Sequence, residues 1–246
     1  MYIRLARLRR FSVTAQRERL GNVDSLYFDH DDWAVRFLSL AKRTGRNGLR
    51  SVVVSPVSLT RARPAEEAFD AALRREPFER SDGDGRRTLP GSFTTELTAY
   101  YRLPAFWRGV HVWGDYASPA LLYEQAGGAS GSSGYAGSSE PPDLYPHNIL
   151  MGREVHSPDG RLGVISDLLL DLETWRIRYF IVWLQAPGES GEILLSPFWV
   201  NGLPRRPRVT VPMTTEAVLN GPNFVPEDLQ PLDEQILARY FGFLKD

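Results

Sequence analysis

The chain reads RLGNVDSLYFDHDDWAVRFL over residues 19–38 and RLGVISDLLLDLETWRIRYF over residues 161–180. Set one above the other without a gap, seven of the twenty positions are identical: Arg19/Arg161, Leu20/Leu162, Gly21/Gly163, Leu26/Leu168, Asp29/Asp171, Trp33/Trp175 and Arg36/Arg178. Further on, SVVVSPVSL (51–59) matches EILLSPFWV (192–200) with one residue of slippage. A third echo joins ELTAYYRLPAFW (96–107) to ILARYFGFLKD (236–246), both read as a short closing helix. Three matches in one order make this an internal duplication, and the repeat decides the architecture.

Each copy reads as β. Residues 164–170 and 175–182 are mostly leucine, β-branched or aromatic, in runs of strand length. Between them lies Asp-x-(Asp/Glu)-x, a tight connection whose first aspartate can accept backbone N–H bonds. Alternation puts Trp175, Ile177, Tyr179 and Ile181 on one strand face, so Trp33 and Trp175 are expected in the core. Gly21 and Gly163 suit a turn that requires positive φ. Arg36 and Arg178 are expected to contact Asp29 and Asp171 across their hairpins. Residues 64–76, PAEEAFDAALRRE, combine an early proline and acids with late arginines, which predicts a short helix.

Composition sets the class. The 246 residues are 42% hydrophobic and 24% charged, enough to bury a core. There is no cysteine, which excludes disulfides and thiolate chemistry. No stretch approaches the eighteen or so apolar residues of a membrane helix, and MYIRLARLRRFSV is a poor secretory signal, so a cytoplasmic protein without membrane insertion is expected. Charge is lopsided: residues 1–63 carry 13 Lys+Arg against 5 Asp+Glu, and the rest carries 16 against 25. Lys42, Arg43, Arg46 and Arg50, in KRTGRNGLR, read as a glycine-containing surface loop that contacts an acidic surface, either in the acidic second half or on a partner protein.

A search for chemistry finds little. His30, His111, His147 and His156 have no metal-ligand spacing and read as solvated. SDGDG (81–85) starts like a calcium loop, but its twelfth position from Asp82 is Phe93 where a bidentate glutamate is needed. The serines of the Gly/Ser tract have no nucleophile elbow around them. The expectation is no catalytic residue, no cofactor and no metal.

The doubled pattern Gly-x-(Val/Ile)-x-x-Leu…Asp-x-x-x-Trp-x-(Val/Ile)-Arg-(Phe/Tyr), followed by Ser-Pro after a short apolar strand, resembles the PRC-barrel family. That family includes the cytoplasmic part of the photosynthetic reaction centre H subunit and the C-terminal domain of a ribosome-maturation factor. The positions carrying the resemblance are Gly21, Asp29, Trp33, Arg36 and Pro56, then Gly163, Asp171, Trp175, Arg178 and Pro197. It implies a mainly β (α+β) fold of two tandem PRC-type β-barrels with short peripheral helices. The first would occupy 1–107 with its closing helix, a Gly/Ser/Pro-rich linker 108–146, and the second 147–246 with a C-terminal helix. It also implies a non-enzymatic adaptor that binds another protein, in electron-transport or photosynthetic-type complexes, with a homo-oligomer compatible. The alternative is an RNA- or ribosome-associated module, favoured by the basic first copy and by LPRRPR (203–208). Two departures stand out. The first copy is about a dozen residues short between Ser55-Pro56 and Thr60, compared with 196–214, and is expected to have lost a strand. Arg102 stands where the closing motif usually has glycine.

Overall fold

The computed structural model describes residues 1–44, 48–73, 76–80, 87–125, 140–185, 191–203 and 208–243, without the side chains of 43, 44, 48, 49 and 125. β1 (Tyr2–Arg4) and α1 (Leu5–Leu8) lead into β2 (Ser12–Ala15), β3 (Glu18–Phe28), β4 (Val35–Thr44) and β5 (Gly48–Val54). β6 (Leu59–Arg63), β7 (Ala68–Ala71) and β8 (Phe78–Arg80) come next, then α2 (Gly91–Tyr100) and α3 (Pro119–Gln125). The second half runs β9 (Tyr145–Pro146), β10 (Glu154–Ser157), β11 (Gly160–Asp171), β12 (Arg176–Leu184), β13 (Glu192–Leu195), β14 (Val209–Thr210), α4 (Thr215–Leu219) and α5 (Pro231–Tyr240). The fold is mostly β, as the alternating patterns require, with two large sheets and short helices.

The chain divides into two compact units. The amino-terminal unit holds Arg7–Asn148 and Glu173–Arg176; the carboxy-terminal unit holds Met1–Ala6, Ile149–Leu172 and Ile177–Asp246. The first contains the sheet β6-β7-β2-β3-β4-β5-β8, with β9 also on β3. The second contains β13-β12-β11-β10-β14, with β1 also on β11. Among the described residues neither path closes on itself.

The duplication is visible strand by strand. β2 pairs parallel with β7 and β10 parallel with β14, Val13 meeting Phe69 and Val155 meeting Val209. The first copy therefore keeps the strand it was expected to lack, at Ala68–Ala71. That strand also overturns the helix predicted over 64–76, whose residues 64–67 form a turn. Three of its four residues are buried, and the Phe69 ring packs tilted against Phe11 at 4.9 Å and Trp175 at 5.8 Å. A segment this short gains little from helix propensity, and a sheet neighbour for one buried phenylalanine outweighs it.

The leading strands are exchanged. Tyr145 and Pro146 of β9 lie 142 positions after Ile3 and Arg4 of β1, the same offset as the repeat itself. β9, just ahead of the second copy, pairs with β3 of the first, Tyr145 opposite Phe28. β1, just ahead of the first copy, pairs with β11 of the second, Ile3 opposite Leu170. Different side chains fix the two ends. In the amino-terminal unit buried His147 accepts from the Leu26 N–H at 3.3 Å through Nδ1, which also lies 3.1 Å from Ser25 Oγ. In the carboxy-terminal unit the buried Asp167 carboxylate accepts from the Ala6 N–H at 3.2 Å and from its neighbour Leu168 at 2.8 Å. The expectation that all four histidines are solvated fails at His147, because the lead strand carries it under the sheet.

Gly21 and Gly163 do not shape the expected turn. Each sits within a long strand beside a register shift, and a β-carbon there would strike the carbonyl of Ala41 or Trp183. Close approach of the neighbouring strand demands glycine at both positions, and at Gly21 the backbone also holds the expected positive φ, 151°. The segment 108–125, assigned to a linker from its neighbours' composition, is folded: Trp113 and Leu122 are buried there. The Gly/Ser tract proper, 126–139, and the calcium-like SDGDG both lie outside the described residues.

Candidate interaction surfaces

The hairpin tips carry the repeated signature, and the two copies use it differently. Trp33 and Trp175 are both 4% exposed, in keeping with core positions, but each occupies the turn with a left-handed backbone, φ 55° and 57°. Trp33 stacks on Phe28 at 5.3 Å. Trp175 belongs to the amino-terminal unit, where its carbonyl accepts from the Val35 N–H at 2.7 Å.

In the first copy Arg36 is fully buried. It donates to the Asp29 carboxylate, to Asp32 at 3.0 Å and to the Val112 carbonyl, and lies 4.2 Å from the Phe106 ring centre. Asp29 in turn accepts from the Asp32 N–H at 2.7 Å, the turn bond its position predicts. A buried cation is tolerable only when its donors are met this fully. Burial and the neighbouring Asp29 push the Asp32 carboxyl above its usual range, against the pull of Arg36 and Arg176. In the second copy Arg178 donates to Glu234 of α5 at 2.7 Å, and Asp171 lies 3.5 Å from the Met1 ammonium. Pro56 and Pro197 open equivalent one-turn 3-10 helices, capped by the hydroxyls of Ser55 and Ser196.

A cleft of about 370 Å³ opens beside the Arg36 cluster, lined among others by Asp31, Asp32, Trp107, His111 and Glu140. None of its lining residues is a serine, threonine, cysteine or lysine; its ionisable groups are carboxylates, Arg36 and His111. Among the described residues no His/Asp/Glu group is arranged to hold a metal, and no helix is long and apolar enough to cross a membrane.

The basic segment is not a free loop. Lys42 lies on β4 and Arg50 on β5, directly opposite each other in the ladder. Two like charges there would repel, and glutamates from the flanking strands relieve them. Lys42 donates to Glu18 at 2.7 Å and Arg50 to Glu79 at 3.1 Å. The side chain of Arg43 and all of Arg46 lie outside the described residues, as do 204–207 of LPRRPR. Lys42 and Arg50 thus meet acidic side chains of their own unit.

Sequence reading missed the α5 surface. α5 begins with Pro231 after a capping box between Gln230 and Asp233. Gly242, at φ 76°, ends it: the Phe243 N–H reaches the Ala238 carbonyl at 2.8 Å and the Gly242 N–H reaches Arg239 at 3.0 Å. α2 ends identically, with Leu103 on Thr98 and Arg102 on Ala99, so Arg102 holds φ 53° where glycine is the easier residue. α5 buries Leu237 and turns Glu234 to Arg178. Its outer face leaves Leu232 65%, Ile236 41% and Tyr240 45% exposed, one row at i, i+4 and i+8. On α2 the first two positions of that row, 140 residues earlier, are Ser92 and Glu96. The signal was present as the spacing of Leu232, Ile236 and Tyr240, but a closing helix is expected to bury such a row.

No model of a known protein family matches the chain, and no curated protein matches it.

Proposed function

We propose that the protein is a non-enzymatic, two-unit β module of the PRC-barrel type that binds another protein chain through the outer face of α5. The supporting observation is the apolar row Leu232–Ile236–Tyr240 at positions where the duplicate helix is polar at its start. A row kept only for internal packing would be buried, and one kept only for solubility would resemble Ser92 and Glu96. Exposed, aligned apolar side chains on a rigid helix are how helical docking faces are built. The barrel reading rests on the repeated frame: the same order of five strands, the same parallel pair and the same Ser-Pro turn in both units. The neutralisation of Lys42 and Arg50 by glutamates weighs against the nucleic-acid alternative, which needs cations free to meet phosphates.

A photo-crosslinking residue at position 240 in cells tests this, with position 42 as control. A polypeptide adduct is expected from 240 and not from 42, and it should disappear when Leu232→Ser and Ile236→Glu install the α2 residues. An adduct-free position 240 would remove the basis for the reading.

A further inference from the structure

We infer that the occupant of the α5 row is a second copy of this chain, paired antiparallel about a two-fold axis through Ile236. The inference rests on the reading of α5 as a docking face and names its partner. At about 1.5 Å of rise per residue, Leu232 and Tyr240 stand about 6 Å either side of Ile236 along the helix. A two-fold at Ile236 sets each Leu232 against the other copy's Tyr240, a short side chain against a long one, and Ile236 against itself. An isologous interface needs this self-complementarity in bulk, residue i meeting j as j meets i.

Charge points the same way. Besides Glu234, which is turned inward to Arg178, the first turn of α5 carries Asp233, and the last turn carries Arg239. Antiparallel pairing brings the acidic end of one helix level with the basic end of the other and opposes their dipoles. Parallel pairing would set acid beside acid. A lipid surface suits the face poorly, since helices that lie on membranes carry Lys and Arg around the apolar row. One ten-residue helix per copy buries well under the roughly 1,600 Å² of a standard interface. The dimer is therefore weak and concentration-dependent.

The absence of cysteine makes the geometry directly testable. Ile236→Cys places a single thiol on the axis, and Glu96→Cys places one at the equivalent point of α2. Under mild oxidation Ile236→Cys should go to a disulfide-linked dimer while Glu96→Cys stays monomeric. Sedimentation equilibrium of the unmodified chain should show monomer and dimer exchanging with concentration. Leu232→Ser with Ile236→Glu should weaken that association at least tenfold with an unchanged melting temperature. An unmodified chain that is monomeric throughout, dimerisation unmoved by those substitutions, or flotation with anionic vesicles through α5 would each overturn the second copy. A monomer whose position 240 still crosslinks a different protein would overturn it while leaving the docking face in place.

Discussion

α2 and α5 are both ten residues long, begin 140 positions apart and finish on the same pair of capping bonds. Their outer faces nonetheless differ, Ser92 and Glu96 on one against Leu232 and Ile236 on the other. The units around them differ in the same sense. In the amino-terminal unit the signature arginine is buried against two aspartates, and Lys42 and Arg50 face glutamates. In the carboxy-terminal unit the equivalent arginine is used to hold α5 by its inner face. A duplicated frame fixes strand order and caps. It leaves side chains at matching positions free to serve interior pairing in one copy and a surface in the other.

The largest contrast should come from the matched aspartates. Asp29→Ala takes the more buried of two carboxylates from the buried Arg36 guanidinium and leaves only the part-exposed Asp32, a loss of about 3 kcal/mol, the low end for a broken buried pair. Asp171→Ala should cost less, since the ion pair it loses with the half-exposed Met1 ammonium is worth about 1 kcal/mol or less. Denaturant unfolding of both variants measures the difference, and equal losses would mean that the two copies use the signature alike.

The lead strands give the next contrast. Leu5 in the carboxy-terminal unit stands 142 positions before His147 in the amino-terminal unit, and both are buried. Burial first, then the nearby Arg9 guanidinium, pushes His147 down to about 4, against the opposing pull of Asp24. Its folded value is below its unfolded one, so its neutral form costs nothing above about pH 6.5. Stability should fall as pH drops from there toward 4, by on the order of 3 kcal/mol. An asparagine in place of His147 keeps an acceptor near the Leu26 N–H and cannot charge. His147→Asn should flatten this acid limb, and an unaltered pH profile would place the titration elsewhere.

Much of the frame is legible in the sequence. The identities from Arg19 to Arg36 locate the hairpin, Asp29 and Arg36 their contact, and Trp33 its burial. What stays hidden depends on distance along the chain. Tyr2–Arg4 and Tyr145–Pro146 are too short for any periodicity to say which sheet edge they join. Phe69 has strand character only because Phe11 and Trp175 are there to receive it. The charges of Lys42 and Arg50 suggest a partner because Glu18 and Glu79, which meet them, lie 24 and 29 residues away. The apolar row of α5 can be read from spacing, but its exposure cannot.

The exchange of leading strands organises both units, and hydrogen exchange on a chain lacking residues 1–4 tests it most directly. β1 covers Leu169, Leu170 and Asp171, and the Met1 carbonyl accepts from the Leu172 N–H at 3.0 Å. Removing β1 should strip protection from amides within 169–172, in the second copy, and leave Tyr27 and Phe28 of the first copy as protected as before, since β9 covers them. Lost protection at Tyr27 and Phe28, with 169–172 unchanged, would mean that each copy keeps its own leading strand.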